Sequence, residues 1–147
     1  MISQTAEYAL RAIVYLADQQ GEPHTTAQIA EAAAIPAGYL AKVMQSLGRA
    51  RLVHSQRGLR GGFVLTRAAT EISLLDVVNA VDPIRRFHEC PLGVPTHREG
   101  LCPLHRCLDE AGQALEQKLG STTVAGMLTV SDSQKPLCAF PRKSGST

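Results

Sequence analysis

The sequence predicts a mainly α-helical fold carrying one small β-hairpin, and three observations point there. Hydrophobic residues make up 44% of the 147-residue chain, yet there is no Trp, three Tyr and three Phe. A core must therefore be built from Ala, Leu, Val and Ile, which favours helices. Apolar positions recur at helical spacing in several separate segments. One glycine-rich stretch, "RGLRG" (57–61), lies between two short alternating runs, "RLVHSQ" and "GGFVLT", and reads as a hairpin. The length suits one domain, or one domain with an appendage.

Residues 4 to about 19 read as a helix with Ala9, Leu10, Ile13, Leu16 and Ala17 on one face. "QGEP" breaks it. Thr25 and Gln28 have the spacing of a capping box, in which each side chain satisfies a backbone amide at the other's position. They open a short helix through "AQIAEAAA". Pro36 has its φ pre-set and suits the first turn of the next helix. That helix turns Leu40, Val43, Met44 and Leu47 inward and shows Gly38, Lys42, Gln45 and Arg49 outward. Two short helices joined by a tight turn, with a hairpin directly after them, make a winged helix-turn-helix domain over 1–82. Ser73 caps "ISLLDVVNAVD", whose stripe of Ile72, Leu75, Val78 and Val81 should close that domain.

Between 83 and 103 the periodicity is lost, and the segment holds four prolines and two glycines. A loop of that length is expected where it is functional or disordered. Helix resumes near Leu104, and Leu104, Leu108, Ala111, Leu115 and Leu119 form a narrow apolar stripe. Such a stripe on a terminal helix usually meets a partner helix. Because the winged domain already has a core, the stripe is expected to be a homodimer seam; the alternative is an intramolecular core face. "TTVAGML" adds a short helix, so the dimerisation helix and its follower span 104–130. Ser, Lys and Pro content marks 131–147 as a loose tail.

The net charge of +2 hides an asymmetry. No Asp or Glu occurs between Glu31 and Glu71, while Lys42, Arg49, Arg51, Arg57, Arg60 and Arg67 give that interval a local charge of +6. A basic block can be merely solvated, but this one coincides with the second short helix and the hairpin. It is what a polyanion-binding face requires. Glycines let the hairpin tip approach a narrow groove, where Arg57 and Arg60 can meet phosphates or minor-groove edges. Double-stranded DNA is the expected partner.

The N-terminal stretch "MISQTAEYALRAIVYLADQQ" contains Glu7 and Asp18 and lacks the basic region and cleavage site of a signal peptide. No apolar run approaches the roughly 18 residues of a membrane span. The expected location is cytoplasmic, with no membrane partner. Four cysteines in such a chain argue for metal or redox chemistry over structural disulfides. Cys90, Cys102 and Cys107 are grouped as C-x11-C-x4-C, and Cys138 stands alone in the tail. If both are helical, Cys107 lies about 140° around the helix from Cys102, and it can face the core instead of a shared site. No C-x-x-C occurs, and no strand–helix redox pattern is apparent, which disfavours a thiol oxidoreductase; an enzyme is not expected.

The segments "EYALRAIVYLA" and "IAEAAAIPAGYLAKVMQSLGRARLVHSQRGLRGGFVLTRAATEISLLDVVNAVD", the cysteine loop, and "CPLHRCLDEA" leading to "STTVAGML" resemble the bacterial Rrf-type winged-helix regulators. That family includes iron–sulfur cluster regulators and nitric-oxide-sensing repressors. The resemblance covers nearly everything from residue 1 to about 130. It implies a cytoplasmic homodimer on a palindromic operator, with an iron–sulfur cluster (2Fe-2S or 4Fe-4S) between the wing domain and the long dimer helix.

Family recognition helices read bases with their outer face, here Gly38, Lys42 and Gln45. Lys42 can donate to guanine, and Gln45 can pair with adenine. Tyr39 is expected to pack with its hydroxyl near phosphate. Gly38 and Ala41 stand where relatives often carry polar readers, which implies a different operator. Cys90 matches the first family cysteine and Cys102 the last, while no cysteine matches the middle one. His105 stands where the cluster regulators place a histidine ligand, and Glu7 where other members supply a carboxylate from the partner subunit. The implied ligand set is Cys90, Cys102, Cys107, His105 and Glu7. The expected function is a homodimeric DNA-binding transcription regulator whose operator affinity follows a redox- or nitric-oxide-sensitive cluster. The alternative keeps the DNA binding and uses a cluster-free cysteine thiol switch or a zinc site.

Overall fold

Helix α1 (Gln4–Asp18) is the element against which most of the others pack. Ser3 caps it by accepting from the Ala6 amide, and Ala9, Ala12, Ile13 and Leu16 are buried along one side. The computed structural model describes residues 2–97, 100–131 and 134–136. Cys138 and most of the expected tail lie outside the described residues.

Helix α2 (Thr26–Ala32) begins at the capping box expected of Thr25 and Gln28. Helix α3 (Ala37–Arg49) follows, with Leu40, Val43, Met44 and Leu47 buried as the spacing requires. Pro36 is placed one residue outside α3, at its N-cap instead of in its first turn. The tight turn between α2 and α3 contains no glycine, although Ala34 has φ +53°, a region that costs an L-residue roughly 1–2 kcal/mol. The Arg11 guanidinium offsets this by donating to the carbonyls of Ala33 and Ala34, both at 3.3 Å. Glu7 holds Arg11 in place at 2.7 Å.

Strands β1 (Val53–Gln56) and β2 (Gly62–Leu65) pair antiparallel, from Val53 opposite Leu65 to Gln56 opposite Gly62. The backbone of His24 adds a bridge to the outer edge of β2: its amide donates to the Phe63 carbonyl at 3.1 Å, and the Phe63 amide returns a bond at 2.7 Å. This close approach explains Gly62, since a Cβ there would collide with the His24 backbone and its φ is +155°. The hairpin is therefore anchored near its loop end to the segment before α2.

Helix α4 (Leu74–Val81) opens with a capping box of Ser73 and Asp76. Its buried positions are Val77 and Val78, while Leu75 and Val81 are only half-buried and pack toward the last helix. The expected stripe of 72, 75, 78 and 81 differs because α4 is covered by α1 and α3 on one side and by α5 on another.

Helix α5 (Pro103–Gly120) spans 18 residues. Its apolar stripe divides. Leu119 is buried and Leu115 half-buried against Ala6, Val78 and Leu75 of the same chain, whereas Leu104 and Leu108 are 61% and 46% exposed. After α5 the chain returns along Ile72–Leu74, with the Leu74 amide donating to the Thr122 carbonyl and the Val124 amide to that of Ile72. Val124 is fully buried. The short helix expected in "TTVAGML" is a single 3-10 turn, Ala125–Leu128. No helix among the described residues is long and apolar enough to cross a membrane.

Candidate functional site

Two surfaces carry chemistry. The first is the outer side of α3 with the hairpin beside it. Gly38, Lys42, Gln45 and Arg49 are all exposed along one face of α3. A groove separates that face from the hairpin, with Lys42, Gln45, His54 and Ser55 on its walls and Met44, Val53 and Phe63 beneath. Arg57 and Arg60 are exposed in the loop between the strands, and Leu59 between them is completely exposed.

Tyr39 is partly exposed; its ring meets that of Tyr8 edge-on at 5.4 Å, and its hydroxyl bonds that of Thr5. It ties α3 to α1. Of the basic block, Lys42 and Arg49 lie on one helix face and Arg57 and Arg60 at the hairpin tip, which is how a winged helix meets a duplex. Leu59 had no signal in a charge count. Only its place at the tip singles it out.

The second surface lies at the N-terminus of α5. Cys102 is the N-cap of that helix and His105 follows in its first turn. Cys102 Sγ is 3.1 Å from His105 Nδ1, and Cys90 Sγ is 3.7 Å from the same nitrogen. The three ligand atoms fall within 4.8 Å of one another. His105 is buried, with its ring edge-on to Phe87 at 5.1 Å. Cys90 Sγ also lies 3.3 Å from His97 Nδ1, in the 3-10 turn Pro95–His97.

The backbone amide of His105, then its imidazole, lowers the Cys102 thiol to about 7, against an opposing contribution from desolvation. The lowering favours the thiolate, the form that binds metal and reacts with oxidants. Two thiols and an imidazole converging in this way fit the donor set of an iron–sulfur or zinc site. Of the other candidates, Cys107 is exposed and outside the group, facing neither it nor the core. Glu7 is also outside it within the chain, paired with Arg11 on α1.

The loop is pinned where it leaves α4. Arg86 forks onto Asp109 of α5, Nε to Oδ1 at 2.7 Å and Nη2 to Oδ2 at 2.9 Å, and its Nη1 reaches Glu116 at 2.7 Å. The Phe87 amide adds a bond to Asp109 at 2.8 Å. Arg86, then the Phe87 amide, hold Asp109 down at about 2. A carboxylate lowered in this way contributes stability above its unpaired value of about 4. That contribution disappears only as pH falls through about 2, so the pin is intact at neutral pH. Gly112 permits the crossing, because a Cβ there would stand 3.2 Å from the Arg85 carbonyl oxygen. Asp109 and Glu116 are seven residues apart, two turns on one face of α5. That spacing was the available signal, but Arg86 is too distant in sequence for spacing to pair it with them.

A family model, Rrf2, described as an iron-dependent transcriptional regulator, matches residues 2–129. An Aquifex aeolicus protein named as an HTH-type transcriptional regulator is 27% identical over 135 residues, covering 90% of this chain and 94% of its own. Among solved structures, T. potens IscR is similar with a TM-score of 0.70 at 25% identity, covering 87% of this chain and 85% of that one. CymR, the global cysteine regulator of B. subtilis, gives a TM-score of 0.69 at 28% identity over 86% of this chain and 95% of its own.

Proposed function

The chain belongs to the Rrf2 family of transcription regulators, and from that premise we propose a homodimeric DNA-binding regulator whose operator affinity is set by an iron–sulfur cluster at Cys90, Cys102 and His105. It is a DNA-binding regulator, not an enzyme, as the family and its relatives are. The observation that carries the cluster reading is the convergence of those three side chains within 4.8 Å at the end of a loop fixed to α5. When bound, a cluster supplies a redox-sensitive centre that nitric oxide or oxygen can disrupt.

The chain's own part is mechanical. The Arg86–Asp109 fork holds the loop's near end to the middle of α5, and Cys102 ends the loop at the tip of that helix. A metal or cluster held jointly by Cys90, Cys102 and His105 would close the remaining stretch. Released, that stretch alters the surface beside Leu104 and Leu108, the exposed part of the stripe through which two copies would meet. The spacing of two α3 helices over a palindromic operator then changes, and affinity with it. Such a protein acts on DNA in the cytoplasm. A second reading, a cluster-free thiol switch, is favoured by one observation: Cys102 is lowered to about 7.

The DNA half of the proposal is tested at the hairpin. Arg57→Ala and Arg60→Ala together should weaken binding to specific and unrelated duplexes alike, and should reduce the slope of log K against log salt by nearly two for each hairpin, about 3.6 for a bound dimer. Fluorescence anisotropy at several salt concentrations measures this. An unchanged slope would remove the hairpin from the interface.

A further inference from the structure

We infer that His97 is the fourth ligand of the metal site, so that one chain supplies a complete set of two cysteines and two histidines: Cys90, His97, Cys102 and His105. The inference deepens the proposal above and rests on its Cys90–Cys102–His105 core.

A tetrahedral metal has metal–sulfur bonds of about 2.3 Å and metal–nitrogen bonds of about 2.0–2.1 Å. Its sulfur and nitrogen ligands then stand roughly 3.6 Å apart, from those same lengths and a tetrahedral angle. The sulfur–nitrogen separations here are 3.1 Å for Cys102–His105, 3.3 Å for Cys90–His97 and 3.7 Å for Cys90–His105. The Cys90–His105 separation matches that edge, and the other two, at hydrogen-bond length, lie a few tenths of an ångström inside it. Cys90 therefore sits between two imidazoles, each presenting Nδ1, and the chain Cys102–His105–Cys90–His97 is continuous.

The surroundings agree. His97 ends the 3-10 turn Pro95–His97 and touches only Cys90 of the Cys90–Cys102–His105 group, outside which it stands, so metal binding requires a rotation of that turn to carry its Nδ1 further in. A cleft of about 340 Å³ opens against Cys90 and His97, which leaves room for inorganic atoms beside the ligands. Glu7 is not needed, because its carboxylate is engaged by Arg11 at 2.7 Å in support of the turn between α2 and α3. Cys107 is exposed and outside the group. Replacing thiolates by neutral imidazoles reduces the negative charge of the ligand set and raises the reduction potential of an iron–sulfur centre above that of an all-thiolate one. The same four donors accept a single zinc-like ion.

Cobalt(II) is the probe, because four-coordinate thiolate and imidazole ligation gives it intense visible bands. Full-length protein titrated anaerobically with Co²⁺ should bind one ion per chain with a tetrahedral spectrum. His97→Ala should weaken binding at least tenfold and lower the band intensity. His97→Cys should restore tight binding and add thiolate charge-transfer absorption. Glu7→Gln and His88→Ala should match the wild type, and far-UV circular dichroism checks that each variant is folded.

A His97→Ala protein with wild-type affinity and spectrum overturns the inference, as does a loss confined to Glu7→Gln or a wild type that binds no cobalt. Parallel reconstitution with iron and sulfide separates this from the reading beneath it. Tight, His97-dependent cobalt binding without iron and sulfide uptake would sink the cluster while the four-ligand set stands. Uptake of iron and sulfide that ignores His97 would leave the cluster and remove the ligand.

Discussion

Cys90→Ala and Cys102→Ala should each abolish the visible absorption of protein reconstituted anaerobically with iron and sulfide, while Cys107→Ala leaves it intact. The expected contrast follows from placement. Cys90 and Cys102 approach the same imidazole nitrogen, and Cys107 lies exposed, outside their group. Removing either thiolate leaves a site with at most one sulfur donor, too few for a stable iron–sulfur core. Iron and acid-labile sulfide per chain, counted beside the spectrum, are the measurement. Loss of colour in Cys107→Ala, or its retention in Cys102→Ala, would contradict the assignment.

Leu108→Lys should convert the protein to monomers and lower its affinity for an intact operator by about 100-fold or more, the loss expected when two linked half-site contacts become independent. Leu104 and Leu108 are the exposed half of the stripe on α5. A charge there should act on assembly and leave the fold alone. Leu115 is a poorer choice, because it is half-buried against its own chain, and a lysine at that position would destabilise the monomer itself. Sedimentation velocity with operator titration distinguishes the cases. A Leu108→Lys protein that remains dimeric would move the interface elsewhere.

The winged domain was legible because its signals are local. Capping boxes at Thr25 and Ser73, the buried spacing of Leu40, Val43, Met44 and Leu47, and the glycine hairpin each operate within a few residues. What was not legible depends on distant partners. The turn before α3 could be placed from the helices flanking it, but its support could not: it has no glycine and relies on Arg11, 22 and 23 residues away. Leu115 and Leu119 continue the stripe of Leu104 and Leu108 without a break, and only the position of α4 and Ala6 shows where burial ends.

At the candidate metal site, sequence singled out Cys90, Cys102 and His105, which the fold brings together. It also offered Cys107 and Glu7; helical spacing turned Cys107 about 140° from Cys102 and allowed it a core-facing place, whereas it is exposed. The Arg86 fork on Asp109, which holds the loop to α5, spans 23 residues and left no local pattern.

The central claim is a coupling between the metal site and DNA affinity. Its most direct test is the operator affinity of one protein preparation measured anaerobically with its iron and sulfide in place and again after their removal. The operator would be drawn from random duplexes selected against both states. The account predicts a difference within the roughly 5- to 150-fold range of ordinary allosteric coupling, and predicts that Cys102→Ala holds a single affinity under both treatments. Equal affinities for the loaded and stripped wild type would contradict it.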